Sequence, residues 1–482
     1  MRKSSDNKFS GQQAYRGSGN RKSYKPHPKR SQGASPARLA ALDVVKTLRA
    51  REAFAQDVIA KRIDGSDMSP EDRAFATKLV LGVVSARGTL DDVLNRCMRT
   101  PGDVTLDVRD ALQISAYEIL FLKKSPHAAV DQGVELVRSI APKAGGVANA
   151  VLRKVVSASA EFPFGDPRKD IEAFSRLHAF PAWLAGKVLN DLGPEAATPY
   201  FVASNEPAPV FVAVNAAKAD DETVREVLEA AYGEPMPAKA GGVSPEGCYR
   251  LQSGKVLLDG RVSRMINNGE LLVSDAASQA VAQLVLPDDK PRSFLEVGAG
   301  RGTKTILVQS AAVRAWGSQI EEYVTLDNHS FKTKLLRKRA DDYGVNVTDA
   351  LTGDATLLED SVGDKLFDAI FIDAPCTGLG TLRRHPEIRW RLRPETIEEY
   401  SGLGLAMLKS AASHVAPGGT LAYATCTITR EENVEVVKAF LSSPEGSSFR
   451  LAPIAGKSSF ASALEPGGSD AHFAVKMLKL AE

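Results

Sequence analysis

The 482-residue sequence contains 43% hydrophobic and 25% charged residues, as globular proteins do, and it is too long for one ordinary core, so we expect about two to four domains. No apolar run reaches the length of a membrane span, and the first residues lack the apolar segment of a secretory signal. Four cysteines without a Cys-x-x-Cys pair or a Cys/His cluster argue against a disulfide framework and a zinc site. The composition predicts a cytoplasmic protein, and we expect a monomer without a membrane or metal partner.

Residues 1–34 form a basic segment with nine lysines and arginines against one acid, Asp6. Because too few large apolar side chains are present to form a core, we predict a disordered tail. A basic tail adds affinity for phosphate backbones that depends on salt and not on base sequence. The segment therefore indicates a nucleic-acid partner, with a merely solubilising terminus as the alternative.

Residues 35–158 show helical periodicity without an alternating strand pattern. Ser35-Pro36 and Ser69-Pro70 are typical helix starts, with serine as N-cap and proline at the first helical position. We predict an all-helical domain of about six or seven helices. Residues 125–136 and 147–153 resemble the last helices of NusB-type RNA-binding domains, and this resemblance implies that the domain binds or positions RNA.

Residues 159–285 combine helix and strand signals and predict a small α+β domain. Residues 209–214 predict a strand, and residues 221–231 predict an amphipathic helix after it. An earlier helix is expected to end near Gly193-Pro194, and we interpret Trp183 within it as a core anchor. The sequence of this region indicates no chemistry.

Strands and helices alternate in residues 286–482, which predicts a doubly wound α/β sheet of the Rossmann type. The first strand, at residues 293–297, leads into a turn that contains Gly298, Gly300 and Gly302. Glycines at these positions let a cofactor approach the backbone closely. Taken alone, such a turn fits a nucleotide, a flavin and S-adenosylmethionine equally, and its spacing differs from that of a phosphate-binding P-loop.

Two acids follow the next strands in chain order. Asp327 ends the second predicted strand, where an acid suits hydrogen bonds with ribose hydroxyls, and Asp354 follows the third, where it suits an adenine amine. The alternative for each is a solvated loop carboxylate. Because both acids follow the glycine turn in order, the pattern makes the solvated-loop alternative weak.

Two of the four cysteines directly follow apolar runs, Cys376 in Asp-Ala-Pro-Cys-Thr-Gly and Cys426 in Ala-Thr-Cys-Thr. Residues past the carboxyl ends of parallel strands face the ligand crevice, so both thiols are expected in one crevice. Covalent catalysis, a disulfide switch and a metal site fit this placement, and burial in the core is the bland alternative.

A basic stretch follows Cys376. We predict that it holds RNA phosphates and raises the local positive potential, with a solvated, salt-bridged loop as the alternative. Its members are Arg383, Arg384, His385, Arg389, Arg391 and Arg393.

The chain resembles the Sun family of RNA cytosine-5 methyltransferases over residues 35–480, on the signatures at residues 367–378, 383–390 and 423–427 and at 431–433. The resemblance implies S-adenosylmethionine as cofactor, small-subunit (16S) ribosomal RNA as substrate, 5-methylcytosine as product and an RRM-like middle domain. It places the cofactor against Glu296, Gly298, Ala299, Gly300, Arg301, Gly302, Thr303, Lys304, Asp327, Asp354 and Asp373.

By the same resemblance, Cys426 is the nucleophile and Cys376 assists product release. Carbon 5 of cytosine is a poor nucleophile, but a thiolate that adds to carbon 6 converts carbon 5 into an enamine carbon that attacks a methyl donor. Asp373 would hydrogen-bond N3 and stabilise this adduct. A base then removes the carbon-5 proton, which expels the thiolate, and nearby cations favour the thiolate form.

The chain departs from the family at the cofactor turn, where residues 300–304 are Gly-Arg-Gly-Thr-Lys in place of Ala-Pro-Gly-Gly-Lys. The departure leaves the contacts of Arg301 and Thr303 open. A methyltransferase for tRNA or another RNA would share the catalytic motifs, although the helical N-terminal domain favours ribosomal RNA. A non-catalytic RNA-binding assembly factor with a relic fold is the other alternative, and the retained cysteines and acids argue against it.

Overall fold

A computed structural model describes residues 33–51, 53–232 and 235–481. The prediction of a disordered tail therefore lies almost wholly outside the described residues. Within these three ranges, no helix is both long and apolar enough to cross a membrane.

The N-terminal region is helical throughout its described part and is built around one apolar core. Its long third helix starts as the sequence predicts, because the Ser69 hydroxyl accepts a hydrogen bond from the Asp72 amide at 3.1 Å. This helix runs without a break to Cys97. The six helices are α1 (Pro36–Ala50), α2 (Ala55–Ile59), α3 (Pro70–Cys97), α4 (Leu106–Leu120), α5 (Pro126–Ile140) and α6 (Gly145–Ala158).

The middle region begins with α7 (Ile171–His178) and α8 (Ala182–Ala203). The backbone of α8 breaks at Gly193, with φ 75° and ψ 162°, so the first helical segment ends where it was predicted to end. A second segment then continues from Pro194, which sequence reasoning missed. Trp183 is half-buried and packs at the margin of the core around Phe180 and Phe201, so it anchors that core only from its edge.

A four-stranded antiparallel sheet follows, with a helix after its first strand and another before its last. The strands lie in the order β2-β3-β1-β4. The elements are β1 (Val210–Val214), α9 (Asp221–Tyr232), β2 (Met236–Pro237), β3 (Cys248–Leu251), α10 (Gly260–Asn267) and β4 (Leu271–Val273).

Both faces of this small sheet are covered. Val212 and Val214 pack with Val224 of α9 and Met265 of α10. On the opposite face, Phe211 belongs to a core that it shares with the C-terminal region. The small sheet is therefore fixed to its neighbour through its second face.

The C-terminal region is a larger sheet with helices on both faces. Its strand order is β10-β12-β9-β8-β5-β6-β7, and β11 pairs with β12. The elements are α11 (Ala276–Leu284), β5 (Ser293–Val297), α12 (Thr303–Trp316), β6 (Glu322–Asp327), α13 (Ser330–Tyr343), β7 (Asp349–Thr352), α14 (Glu359–Val362), β8 (Phe367–Asp373), α15 (Ile388–Arg391), α16 (Pro394–Ala412), β9 (Val415–Thr425), α17 (Val436–Leu441), β10 (Phe449–Ala452), β11 (Phe460–Ala461) and β12 (Phe473–Lys479).

The strand directions create one functional edge. Strands β5 to β9 pair in parallel, so their carboxyl ends meet there, whereas β12 runs antiparallel to β9 and begins there. Asp373 pairs with Ala424, which in turn pairs with Ala474. Ligand sites of open α/β sheets lie at this edge.

Candidate active site

The glycine turn between β5 and α12 leaves open space above Gly300. Gly298, Gly300 and Gly302 have φ values of 79°, 58° and 80°, which side chains rarely adopt. A Cβ on Gly298 would lie 2.3 Å from the Asp373 carbonyl oxygen, so only glycine fits there. A Cβ on Gly300 would meet no atom closer than 3.9 Å, which is room for a ligand.

The two acids that follow the turn lie at different depths. Asp327 is 7% exposed and accepts hydrogen bonds from the backbone amides of Gly300 at 3.0 Å and His329 at 2.9 Å. Asp354 is exposed, and hydrogen bonds from the Thr356 amide and hydroxyl lower its pKa. Asp327 therefore fastens the turn, and Asp354 lies at its rim.

Glu296 lies beneath the turn and is fully buried. Its Oε2 accepts hydrogen bonds from the Thr305 hydroxyl at 2.6 Å and the Tyr323 hydroxyl at 2.9 Å, whereas Oε1 has no partner among the described residues. Burial raises the pKa of Glu296 to about 7. The structure thus places this residue as a support of the turn from below.

Arg301 and Thr303, where the turn departs from the family, are held from two directions. The Arg301 guanidinium lies 3.2 Å from Asp57 of α2, so the turn touches the helical domain. The Arg339 guanidinium donates to the Arg301 carbonyl at 2.9 Å and to the Thr303 hydroxyl at 3.1 Å. These contacts fix the turn although it lacks the proline of the family's Ala-Pro-Gly-Gly-Lys sequence.

Lys304 and Asp373 form a close ion pair beside the turn, with Nζ and Oδ2 2.7 Å apart. Burial alone would lower the pKa of Lys304, but Asp373 and the nearby Cys426 outweigh it and raise that pKa. A protonated lysine is therefore held between the turn and the thiols.

The two cysteines that the sequence assigns to one crevice, Cys376 and Cys426, lie side by side. Their Sγ atoms lie 3.4 Å apart, too far for a disulfide bond, and the Cys426 amide donates to the Cys376 sulfur at 3.3 Å. A hydrogen bond from Cys376, opposed by burial and aided by Lys304, lowers the pKa of Cys426. The same hydrogen bond, burial and the charges of Cys426 and Glu432 raise the pKa of Cys376. Cys426 is thus the favoured thiolate.

Glu432 joins the two thiol loops, and sequence reasoning gave it no role beyond a family signature. It is buried, and its carboxylate accepts hydrogen bonds from the Thr377 amide at 2.7 Å and hydroxyl at 2.6 Å. It also accepts from the hydroxyls of Thr427 and Thr429. The signal in the sequence was the threonine that follows each cysteine.

The prediction that the basic stretch holds phosphates is wrong for its first two arginines. Arg383 is almost wholly buried and lies 2.7 Å from Asp470, and Arg384 pairs with Asp470 at 2.6 Å and Asp275 at 2.8 Å. Acids distant in sequence therefore neutralise these charges, and sequence patterns within the stretch do not reveal them.

The rest of the stretch forms an interface with the other domains. Arg389 is fully buried, lies over the Phe180 ring and donates to the Ser204 carbonyl at 2.8 Å. The indole of Trp390 donates to the Ser85 carbonyl of α3 at 2.7 Å, and His385 packs against Phe54. Only Arg391 and Arg393 are exposed.

Comparison with known proteins agrees with this architecture. Residues 282–468 match the family of the 16S rRNA methyltransferase RsmB/F, and residues 35–157 match the NusB family. The chain is 31% identical over 419 residues to the probable ribosomal RNA small subunit methyltransferase B of Synechocystis, covering 85% of this chain and 90% of the relative. The Bacillus subtilis protein of the same name is 29% identical over 406 residues, 83% of this chain and 87% of the relative.

A solved structure shares the fold over nearly the whole chain. The crystal structure of PH0851 has a TM-score of 0.75 at 24% identity and covers 92% of this chain and 99% of its own. The predictions of a NusB-like helical domain and a Rossmann-like methyltransferase domain are confirmed.

Proposed function

The chain belongs to the 16S rRNA methyltransferase RsmB/F family, and from this membership we propose that it transfers a methyl group from S-adenosylmethionine to carbon 5 of a cytosine in small-subunit ribosomal RNA. The observation that carries the proposal is the pair of thiols 3.4 Å apart, with Lys304 and Asp373 beside them and the glycine turn next to that pair. This arrangement supplies a nucleophile, a second thiol and a cofactor edge in one place.

The residues at the cofactor edge fit S-adenosylmethionine, which supplies an electrophilic methyl group on a sulfonium. We propose that the turn at residues 298–304 approaches it through backbone atoms, because space is open above Gly300. Asp327 accepts one backbone hydrogen bond at each oxygen and retains lone pairs for ribose hydroxyls. We propose that Asp354 at the rim accepts a hydrogen bond from the adenine amine and that Asp373 completes the edge.

Cys426 is the proposed nucleophile. Its thiolate adds to carbon 6 of cytosine, and the electron pair of the carbon 5–carbon 6 double bond shifts so that carbon 5 becomes nucleophilic. Lys304 stabilises the thiolate before attack, because a nearby cation lowers the pKa of a thiol. Asp373, held by Lys304, accepts a hydrogen bond from protonated N3 of the adduct.

Cys376 is the proposed partner in release. After methylation, a base takes the carbon-5 proton, the double bond re-forms, and the bond between carbon 6 and the Cys426 sulfur breaks. A protonated Cys376 at 3.4 Å donates a hydrogen bond to the departing thiolate. Glu432 keeps both loops in register for this step.

We propose an RRM-like assignment for the middle domain, since its strand order and helix placement are those of a split βαβ sheet. RNA modules of that kind stack bases on an open sheet face. Here that face packs against the methyltransferase domain through Phe211 and its neighbours. RNA contacts are therefore proposed for the helical domain, the basic tail and the exposed Arg391 and Arg393, and not for this sheet.

Sequencing of bisulfite-treated RNA tests the function. A deletion strain should lose 5-methylcytosine at a 16S position, and complementation with the intact gene, but not with Cys426→Ala, should restore it. Loss of a tRNA methylation instead would support the tRNA alternative. An unchanged pattern, together with no binding of S-adenosylmethionine, would support the assembly factor. We further propose a cytoplasmic monomer, which light scattering of the purified protein would test.

A further inference from the structure

His472 lies immediately before β12, at the edge of the sheet where the thiols lie. Phe473 pairs with Thr425, so one step further brings His472 opposite Cys426. The backbone pairing of β12 with the segment that follows β11 reaches this residue, because the Ser462 amide donates to the His472 carbonyl at 2.9 Å. Side chains at opposite positions of paired strands point to the same face of a sheet.

The core packing identifies that face. Ala424 and Ala474 belong to the apolar cluster beneath α11 and α12, whereas Tyr423 and Phe473 belong to the cluster on the other side. Alternation along the strands thus assigns Cys426 and His472 to the α12 face. This is also the face of Lys304, whose charge acts on both side chains.

The imidazole of His472 is buried, and one of its two ring nitrogens lacks a partner. The residue is 5% exposed, and its Nδ1 forms no hydrogen bond with any described residue. Burial, reinforced by Lys304 and Arg384 and opposed by Asp470, lowers the pKa of His472 to about 3, so the ring is neutral. Buried polar atoms normally have partners, so an unpaired ring nitrogen next to the thiols calls for a ligand.

The strand order separates His472 from the cofactor edge. From the glycine turn on β5, the sheet runs through β8 and β9 to β12. His472 therefore lies beyond Cys426 as seen from Gly298, away from the proposed cofactor site.

We propose that the neutral imidazole of His472 forms a hydrogen bond with the target nucleotide beside Cys426 and takes no part in binding the methyl donor. This inference rests on the proposed function and names a further residue of its RNA-binding side. It requires a hydrogen-bonding group at position 472 but no charge there.

The test compares His472→Gln, which keeps a hydrogen-bonding side chain, with His472→Leu, which does not. His414 is the matched control, since it is also 5% exposed but precedes β9 at the opposite edge of the sheet. An RNA with 5-fluorocytidine at the target position reports on nucleotide positioning, attack and methyl transfer without the release step. Because the fluorine on carbon 5 cannot be removed by a base as a proton can, the double bond does not re-form and the covalent adduct with Cys426 persists.

For His472→Leu we expect kcat/KM for RNA and the rate of adduct formation to fall about tenfold, the cost of an unpaired buried hydrogen-bonding group. His472→Gln should recover most of both rates, and His414→Leu should match the wild type. The Kd for S-adenosylmethionine in calorimetry should stay within about twofold in all variants, which also verifies folding.

Adduct formation at the wild-type rate in His472→Leu would overturn the proposal. This holds also if that variant loses only turnover on ordinary cytidine, because the imidazole would then serve as the proton acceptor in product release. Equal losses in the glutamine and leucine variants would overturn it as well. If the wild-type protein formed neither adduct nor 5-methylcytosine on any RNA, the proposed function itself would fail.

Discussion

The two halves of the catalytic edge are built differently. The cofactor half, at the ends of β5, β6 and β7, is made mainly of backbone, and its polar side chains at Arg301 and Asp354 reach solvent. The thiol half, at the ends of β8 and β9 and the start of β12, is made of side chains, with Glu432 and its threonine partners buried and the two cysteines half-buried. There Glu432 connects the loops of Cys376 and Cys426, which are 50 residues apart in sequence.

This difference predicts that the two halves tolerate substitutions to different degrees. A backbone cradle survives most changes of neighbouring side chains, as the altered turn at residues 300–304 illustrates. A buried polar network loses several hydrogen bonds when one member changes, and each unpaired group is costly. We therefore expect substitutions in the thiol half to reduce activity far more than those in the cofactor half.

The largest effect should come from the thiols themselves. We expect Cys426→Ala to abolish methylation, a loss of at least about 10⁴-fold, and to form no adduct with RNA, since no nucleophile remains. Cys376→Ala should methylate once and stay attached to the RNA, because release fails. Denaturing gels with radiolabelled cofactor would show both results. A persistent adduct in Cys426→Ala, with none in Cys376→Ala, would reverse the two roles.

Glu432 gives the next effect. Glu432→Gln keeps the size of the side chain but places an amide where the hydroxyls of Thr377 and Thr429 donate. We expect kcat to fall about 100- to 1,000-fold, or about 3–4 kcal/mol, as both loops shift. The adjacent Glu431 is the control, because it is half exposed and pairs with Lys187. Similar kcat values for Glu431→Gln and Glu432→Gln would remove the special role of the buried acid.

The same contrast explains what the sequence could predict. Strand 293–297 and the acid at Asp327 follow from local patterns, and the structure has β5 at those residues and β6 ending at that acid. The opposite holds for Arg383, whose partner Asp470 lies 87 residues away, and for Glu432, which acts on a loop 55 residues earlier. Local periodicity carries no information on such partners. The sequence therefore predicted a phosphate contact for Arg383, which the structure shows in a buried ion pair with Asp470.

Glu296 sharpens the comparison, because it is a fully buried side chain in the cofactor half. A carboxyl whose pKa rises from 4.5 to about 7 on folding holds a proton that the unfolded chain releases, so its contribution to stability is lost as pH rises through that window. We expect the wild type to lose about 2–3 kcal/mol of unfolding free energy between pH 4.5 and 8 relative to Glu296→Gln. Urea unfolding of both proteins across this range measures the difference, and parallel curves would contradict it.

Asp327 should show a smaller effect that is confined to the cofactor. Asp327→Ala removes the acceptor of the Gly300 and His329 amides as well as the proposed ribose contact. We expect the Kd for S-adenosylmethionine to rise by a factor equivalent to about 2 kcal/mol, with the affinity for RNA unchanged. Calorimetry with S-adenosylmethionine and, separately, with RNA measures the two affinities. Asp327→Asn, which keeps an acceptor oxygen, should recover part of the loss.

The smallest effect is expected at Arg301, although this residue lies in the cofactor turn and joins it to the helical domain. Its ion pair with Asp57 is about half exposed on both sides, and such pairs contribute at most about 1 kcal/mol because water screens them. Arg301→Ala should therefore change the Kd for S-adenosylmethionine less than about fivefold, and Asp57→Asn should match it, since both remove the same pair. The Arg301 backbone carbonyl still accepts from Arg339 in both variants. A loss well above fivefold in Arg301→Ala alone would mean that the side chain itself touches the cofactor, and the cofactor half would then depend on side chains as the thiol half does.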